Sequence, residues 1–180
     1  MSVIDTLRDR NAAHAATRFA PLPLRATLRT TIVGCVDPRV DPAHIFGLEL
    51  GEAAVLRNVG GRITPATLEM LALLRRLPRA PEPGVMPDTL VVLHHTDCGI
   101  TRLADYPDLL ADYFGIAADQ LATKAIADPH AAVKADVALL AATPDIPRTL
   151  VVAGLVYDVA TGLVVTVVPP ASLREHAGGA

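Results

Sequence analysis

Short apolar runs alternate with segments of helical character along the chain. The runs are rich in β-branched residues, and each has the length of one buried strand. Four of them lie at positions 30–34, 53–57, 89–93 and 149–156, and a fifth, at 163–168, follows the fourth across Thr161 and Gly162. The last spacing is typical of a hairpin, so the pattern predicts four main strands and a fifth that is antiparallel to its neighbour.

Capping residues and prolines mark helix starts between these runs. Ser2 with Asp5 resembles a capping box, and it predicts a helix that ends near Arg18. Three further starts share one pattern, an N-cap residue followed by proline at the first helical position: Asp41 and Pro42, Thr64 and Pro65, and Asp128 and Pro129. Apolar residues at helical spacing follow the last two starts: Leu68, Met70, Leu71, Leu74 and Leu77, then Val133, Val137 and Leu140.

The remaining segments are less regular. Residues 99–127 predict short helices, and the proline-rich stretch 78–88 predicts a surface loop. The tail after Pro169 and Pro170 is predicted to be loose. Strands that alternate with helices indicate one α/β domain over residues 1–180, with a mostly parallel central sheet and helices on both faces. Residues 1–25 form a helical arm with only a weak apolar stripe, which favours packing on a partner subunit.

Composition narrows the classes of function. The chain has 180 residues, 51% of them hydrophobic, and a formal net charge of -3, which fits one soluble globular domain. Without a basic run, neither nucleic acid nor an anionic membrane surface is an expected partner, so we expect a small molecule. No apolar run is long enough to cross a bilayer, and the amino terminus lacks the core of a signal peptide, so the expected location is the cytoplasm.

Two strand ends carry residues that bind metals. Cys35 closes the first strand, and His95 and Cys98 follow the third. A reducing cytoplasm disfavours a disulfide, whereas two thiolates and an imidazole are the ligands of a catalytic zinc site with an open fourth position. If Cys35 and His95 bind one ion, the first and third strands must be neighbours. The predicted strand order is therefore 2-1-3-4 with an antiparallel edge strand, and the site lies at the topological switch point.

The segment after Cys35 adds charged groups to this end of the sheet. Cys35, Asp37 and Arg39 alternate along an extended segment, so their side chains share one face. A thiolate, a carboxylate and a guanidinium are thereby predicted to converge. Gly60 and Gly61, in the loop after the second strand, would let the backbone approach another group closely.

Together, the CxDxR motif at 35–39, the glycine-containing Arg-Asn-Val loop at 57–61 and the HxxCG motif at 95–99 resemble those of β-class carbonic anhydrases. The chain length is similar to that of the compact prokaryotic branch. The resemblance implies reversible hydration of carbon dioxide to bicarbonate and a proton, with one Zn²⁺ per chain bound by Cys35, His95 and Cys98. It also implies that Asp37 and Arg39 form a catalytic dyad that orients a zinc-bound hydroxide.

The resemblance further suggests a closed state, in which Asp37 leaves Arg39 and becomes the fourth zinc ligand. Pro38 is a departure, because the family commonly has serine there. The chain also lacks tryptophan, one expected member of the bicarbonate-inhibition site of some relatives, and it shows no counterpart of the glutamine that lines the pocket in the plant-like branch.

Other roles and rival functions stay open at this point. His94 and His44 are candidate proton shuttles, Gly60 and Gly61 are candidates for the substrate path, and a homodimer or larger homo-oligomer is expected. One rival function is hydrolysis of carbonyl sulfide or carbon disulfide at the same zinc site. A second is a zinc-binding sensor or interaction module without catalysis, against which Asp37 and Arg39 argue. A nucleotide-binding domain is a third, but no glycine-rich phosphate motif follows the first strand.

Overall fold

A five-stranded sheet runs through the centre of the protein in the order β2-β1-β3-β4-β5. The computed structural model describes residues 2–77 and 88–178. The strands are β1 Thr30–Cys35, β2 Ala53–Asn58, β3 Thr89–His95, β4 Val151–Tyr157 and β5 Val164–Ser172. The pairs among the first four strands are parallel, and β5 is antiparallel to β4. Both the predicted order and the antiparallel edge are confirmed.

The described residues form the helices α1 Val3–Arg18, α2 Pro42–Phe46, α3 Pro65–Arg75, α4 Pro107–Phe114, α5 Pro129–Ala142 and α6 Leu173–Gly178. Single 3₁₀ segments span Val59–Gly61, Gly99–Leu103 and Ala118–Lys124. The four predicted N-cap side chains each accept a backbone N–H from the first turn of their helix: Ser2, Asp41, Thr64 and Asp128. These local signals therefore fixed the helix starts correctly.

Two apolar clusters fill the interior. The larger one joins the sheet to α5 through residues that include Val33, Val92 and Val152 on the strands and Val133 and Leu140 on the helix. The smaller one lies at the carboxyl ends of β1 and β3 and comprises Cys35, Val40, Cys98, Ile100, Leu110 and Phe114. Both cysteines are thus enclosed by apolar side chains, which keeps water away from their sulfur atoms.

The sequence prediction of a loose carboxyl-terminal tail is wrong. Strand β5 continues through Pro169 and Pro170 to Ser172, and α6 follows with Leu173 completely buried. Both prolines are tolerated because β5 is an edge strand and because they lie between the paired residues Val168 and Ala171, where the ladder is irregular and uses fewer N–H donors. The pairing of β4 with β5 is also irregular around Gly154, where the register shifts.

The apolar face predicted for α3 is only partly covered. Leu71 is buried, whereas Met70, Leu74 and Leu77 stay between 36% and 42% exposed. The predicted surface loop 78–88 lies outside the described residues except for Asp88. Among residues 2–77 and 88–178, none of the helices combines the length and the apolar character needed to cross a lipid bilayer.

Replacement of Leu173 by alanine tests whether the terminal helix is part of the core. Leu173→Ala should lower the free energy of unfolding by about 2–5 kcal/mol, because it opens a cavity at a fully buried site. Leu163→Ala is the matched control, since Leu163 is 66% exposed and should cost less than about 0.5 kcal/mol. Urea denaturation measures both, and equal midpoints for the two variants would show that the tail does not dock.

Candidate metal centre

Three potential metal ligands meet at the carboxyl edge of the sheet. Cys35 is the last residue of β1 and His95 the last residue of β3, while Cys98 follows a tight turn in which Asp97 has a φ of 51°. The two sulfur atoms and a ring nitrogen lie within 4.8 Å of one another, and all three residues are buried. The structure thus brings together the three ligands predicted from the sequence.

The sulfur atoms are spaced for a shared metal ion rather than for a disulfide. Cys35 Sγ and Cys98 Sγ are 3.8 Å apart, whereas a disulfide bond measures about 2.05 Å. Two thiolates that bind one tetrahedral zinc ion through bonds of about 2.3 Å would be separated by about 3.8 Å. The observed separation fits the second geometry, and both cysteines are free.

The His95 ring is oriented to present one nitrogen to the sulfurs. Its Nδ1 lies 2.8 Å from the carbonyl oxygen of Thr96, so Nδ1 carries the hydrogen and donates it. The buried Nε2 then holds a lone pair, and it has no hydrogen-bond partner among the described residues. A buried acceptor without a partner is costly, and an imidazole oriented by a backbone carbonyl is the usual form of a metal-binding histidine.

Hydrogen bonds favour the thiolate form of Cys35. The Cys98 thiol donates to Cys35 and is the main cause that lowers the pKa of Cys35. Backbone N–H groups of Asp37 and Gly60 also donate to this sulfur, over 3.4 and 3.3 Å. The same contact with Cys35, together with burial, raises the pKa of Cys98. These contacts favour the thiolate form at Cys35 and the thiol form at Cys98.

A charged pair stands beside the ligands. Arg39 Nη2 and Nε donate to the two carboxylate oxygens of Asp37 over 2.7 and 3.0 Å, and the Arg39 backbone N–H donates to Oδ1 over 2.9 Å. The hydrogen bonds from the Arg39 side chain are the largest cause that lowers the pKa of Asp37 to about 2. Asp37 is thus an ionised acceptor at any physiological pH.

Arg39 also ties this pair to the other ligand-bearing segment. Its Nη1 donates to Asp97 Oδ2 over 2.9 Å and its Nη2 to the Asp97 carbonyl oxygen over 3.0 Å. Arg102 reaches the second oxygen of the same carboxylate. Asp97, which lies between His95 and Cys98 in the chain, therefore joins the two motifs that the sequence predicted to converge.

The contacts of two arginines were not predicted from the sequence. Arg57 donates to the carbonyl oxygens of Cys35 and Asp37 and to the Asp41 carboxylate. Arg62 forms an ion pair with Asp136 on α5, and each side chain is only 1% exposed. The sequence held a signal for one member of this pair, because Asp136 stands in the chain among the apolar residues that α5 buries.

The two candidate proton shuttles occupy different environments. His94 is buried, and its Nε2 lies 3.2 Å from Asp136 Oδ2, on the opposite face of β3 from His95 because successive side chains alternate. Its position therefore gives no support to direct proton exchange with water. His44 is 90% exposed on α2, and its role as a shuttle stays a prediction.

Gly60 and Gly61 form a turn that packs tightly against the ligand-bearing strands. A Cβ atom on Gly61 would lie 2.8 Å from the Leu93 carbonyl oxygen and 3.0 Å from the Cys35 nitrogen, and Gly61 has a φ of 66°. Only glycine fits this approach. Gly60 borders a cavity of about 40 Å³ beside His95 and Cys98, and a role of either glycine in the substrate path stays a prediction.

Comparison with known proteins shows similarity to carbonic anhydrases. Residues 30–137 match the family model described as carbonic anhydrase. The chain is 30% identical over 171 residues to beta-carbonic anhydrase 1 of Mycobacterium tuberculosis, covering 94% of this chain and 100% of that protein. The crystal structure of a carbonic anhydrase from Streptococcus mutans superimposes with a TM-score of 0.72 at 35% identity, over 93% of this chain and 98% of that one.

A relative with another substrate is also similar over part of its length. The carbon disulfide hydrolase of Saccharolobus solfataricus is 30% identical over 86 residues, which cover 48% of this chain and 38% of that protein.

Removal of the Arg39 guanidinium should raise the pKa of Asp37 from about 2 toward the ordinary value of about 3.9. A carboxylate with a lowered folded-state pKa stabilises the fold above its unfolded pKa and loses that contribution as the pH falls through the folded value. The stabilisation in the native chain should thus disappear between about pH 4 and pH 2, and it should be absent in Arg39→Gln.

Carbon-13 NMR of the Asp37 carboxyl group measures this change in the pKa of Asp37. The metal-free chain is studied at about pH 3.5, which lies between the two pKa values. Asp37 should be ionised in the native chain and mostly protonated in Arg39→Gln. Arg102→Gln is the control, because Arg102 contacts Asp97 and should leave Asp37 ionised. An ionised Asp37 in Arg39→Gln would contradict the assigned cause.

Proposed function

The chain belongs to the carbonic anhydrase family, in its β class, and we propose that it catalyses the reversible hydration of carbon dioxide to bicarbonate and a proton at a zinc ion. One observation carries this proposal. The Cys35, His95 and Cys98 cluster lies next to an intact ion pair between Asp37 and Arg39. We assign the first three residues as the zinc ligands and the ion pair as the catalytic dyad.

The ligand set suits this chemistry. When bound, zinc in a site with three protein ligands acts as a Lewis acid that makes hydroxide available near neutral pH. The protein supplies the charge and the orientation. Two thiolates compensate the dication, while the Thr96 carbonyl fixes the tautomer and the direction of the His95 ring. The apolar cluster around both sulfur atoms limits displacement of the thiolate ligands by water.

Asp37 would orient the nucleophile. An ionised carboxylate can only accept hydrogen bonds, and each of its oxygens has two acceptor positions. Arg39 occupies part of this capacity, so a further O–H donor can bind. Asp37 would therefore hold an attacking oxygen by its hydrogen and direct a lone pair of that oxygen toward carbon dioxide. Arg39 would keep Asp37 ionised and in place.

The closed state would need Asp37 to leave Arg39 and enter the metal coordination. That movement breaks the four hydrogen bonds from Arg39 to the Asp37 carboxylate, whereas the contacts of Arg39 with Asp97 can persist. Arg39 would then stay at the site and recapture Asp37 on reopening. The arrangement described here corresponds to the open form of this proposed equilibrium.

Carbon dioxide is a better candidate than carbon disulfide or carbonyl sulfide. The match to the carbon disulfide hydrolase covers 38% of that protein, whereas the match to the mycobacterial carbonic anhydrase covers all of it. The Arg39 side chain is also 48% exposed, so the single chain leaves the dyad accessible to water. Such access suits a reaction that exchanges bicarbonate and a proton with solvent. A non-catalytic zinc module would not require the dyad.

We further propose that the chain acts as a homodimer or a larger homo-oligomer in the cytoplasm. Helix α1 buries none of its residues, and Val3, Ile4 and Leu7 are exposed. An isolated helix of 16 residues is marginal in water, so a partner surface would stabilise it. The reducing cytoplasm would keep Cys35 and Cys98 available for a metal.

Stopped-flow measurement of carbon dioxide hydration, combined with metal analysis, tests the proposed function. The native chain should bind one zinc ion and turn over rapidly. Asp37→Asn should keep the zinc but lose about 10²-fold or more in kcat, since the amide cannot replace an ionised acceptor. Cys35→Ser should lose both zinc and activity.

Asp97→Asn is the matched control, because it alters the other carboxylate that Arg39 contacts and leaves Asp37 intact. Its activity should fall much less than that of Asp37→Asn. A zinc-loaded native chain that hydrolyses carbon disulfide and does not hydrate carbon dioxide would favour the rival substrate. A zinc-loaded chain inactive toward both would indicate a non-catalytic module.

Deletion of residues 2–18 tests the proposed arm. If α1 packs on a partner subunit, the shortened chain should dimerise at least about tenfold more weakly, a change of roughly 1.4 kcal/mol. Sedimentation equilibrium of both chains measures this. Because α1 contributes nothing to the buried core, the shortened chain should keep its fold. Equal association of the two chains would exclude the proposed packing.

A further inference from the structure

A buried ion pair lies behind the candidate metal centre. Arg62 Nε and Nη2 donate to the two oxygens of Asp136 over 2.8 and 3.1 Å, and the Ile63 backbone N–H donates to Oδ2 over 3.1 Å. Arg62 Nη2 also donates to the Lys124 carbonyl oxygen. The guanidinium lies 5.0 Å from the centre of the Phe114 ring. The pair thus fixes Arg62 to α5 with matched hydrogen bonds.

Arg62 directly follows the turn of Gly60 and Gly61. The turn is closed at its base by Asn58, whose side chain accepts from the Arg62 N–H and donates to the Arg62 carbonyl oxygen, both over 2.7 Å. From the top of the turn, the Gly60 N–H donates to Cys35 Sγ over 3.3 Å. A continuous set of contacts therefore leads from Asp136 through Arg62 and Gly60 to the sulfur.

The turn needs an external anchor. Two consecutive glycines have more backbone freedom than any other dipeptide, and both have positive φ here. Fixing the residue on each side removes this freedom. Asn58 is fixed because it is the last residue of β2, whereas Arg62 is held by its contacts with Asp136 and Asn58.

Stability alone does not account for the pair. Two side chains that are each 1% exposed lose their hydration, and apolar residues of similar volume often replace such a pair without loss of stability. A polar anchor does have directional hydrogen bonds, which apolar packing lacks. It can therefore set the position of an attached turn more narrowly than apolar packing does.

Building on the proposed metal centre, we propose that the Arg62–Asp136 ion pair is a positioning unit for the ligand sulfur of Cys35. It holds the turn so that the Gly60 N–H stays directed at Sγ. A hydrogen bond to a thiolate withdraws charge from the sulfur, so the pair sets how strongly Cys35 donates to the metal. Neither Arg62 nor Asp136 touches the substrate.

Cobalt(II) substitution of the full chain tests this inference, because the charge-transfer absorption from thiolate to cobalt reports on the sulfur itself. In Asp136→Asn, the weakened anchor should release the Gly60 N–H and shift this band to longer wavelength. Affinity for zinc, measured by competition with a chromophoric chelator, should fall about tenfold, as is typical when a group that supports a ligand is lost.

A double variant keeps the test decisive if Asp136→Asn leaves Arg62 uncompensated and the chain does not fold. Arg62→Met with Asp136→Leu fills the same space with apolar side chains and removes both charges. The variant should fold with lower stability, because the Ile63 N–H and His94 Nε2 lose their partner. It should show the same band shift and the same loss of zinc affinity. A native band position in this folded double variant would overturn the inference.

Asp88→Asn is the matched control. Asp88 pairs with Arg29 over 2.8 Å at the amino end of the sheet, far from the ligands along β1 and β3, so its loss should lower stability without moving the band. A lower melting temperature with an unchanged band in all variants would mean that the Arg62–Asp136 pair only stabilises the fold. A native chain without any thiolate-to-cobalt band would instead refute the proposed metal centre.

Discussion

The parallel register of β1 and β3 is the constraint on which the site depends. Thr30 pairs with Thr89 and Val33 with Val92, so the two strands end within one residue of the same level and their last residues, Cys35 and His95, lie close together. A slip of one residue would turn every side chain of a strand to the opposite face. Burial of Val33 and Val92 prevents that slip. Core packing along the two strands therefore contributes to setting the distance between the sulfur and the imidazole.

Beyond the strand ends, arginine side chains replace the hydrogen bonds that regular structure supplies elsewhere. Arg39 joins the segment after β1 to the segment after β3, Arg57 holds the backbone of residues 35–37, and Arg62 anchors the glycine turn to α5. Each uses several donors in one planar group, which a lysine could not do. Irregular backbone at the carboxyl edge of the sheet is thus made rigid by side chains, and a rigid edge is what a metal site with fixed ligand geometry requires.

Local signals explain how much could be predicted from the sequence. Strand positions, the N-caps at Ser2 and Thr64 and the ligand set depend on residues close in the chain, or on the simple rule that neighbouring parallel strands end at one edge. The Arg62–Asp136 pair was missed because its members are 74 positions apart, and no local pattern links them. The loose-tail prediction failed because Pro169 and Pro170 were expected to end the fifth strand, although an edge strand tolerates proline, and because no local pattern indicates that Leu173 is buried.

The position of Pro38 illustrates how a departure from the family pattern can be accommodated. Asp37 to Val40 form a turn in which the Val40 N–H donates to the Asp37 carbonyl oxygen over 3.1 Å, and proline is favoured at the second position of such a turn. The donors that the site uses come from Asp37, whose N–H contacts Cys35 Sγ, and from Arg39, whose N–H contacts the Asp37 carboxylate. The N–H that proline lacks is therefore not among them. Because the same turn supplies one hydrogen bond to the ligand sulfur and one to the dyad, a rigid residue at its second position fixes both at once, and the loss of the serine hydroxyl leaves this backbone geometry intact.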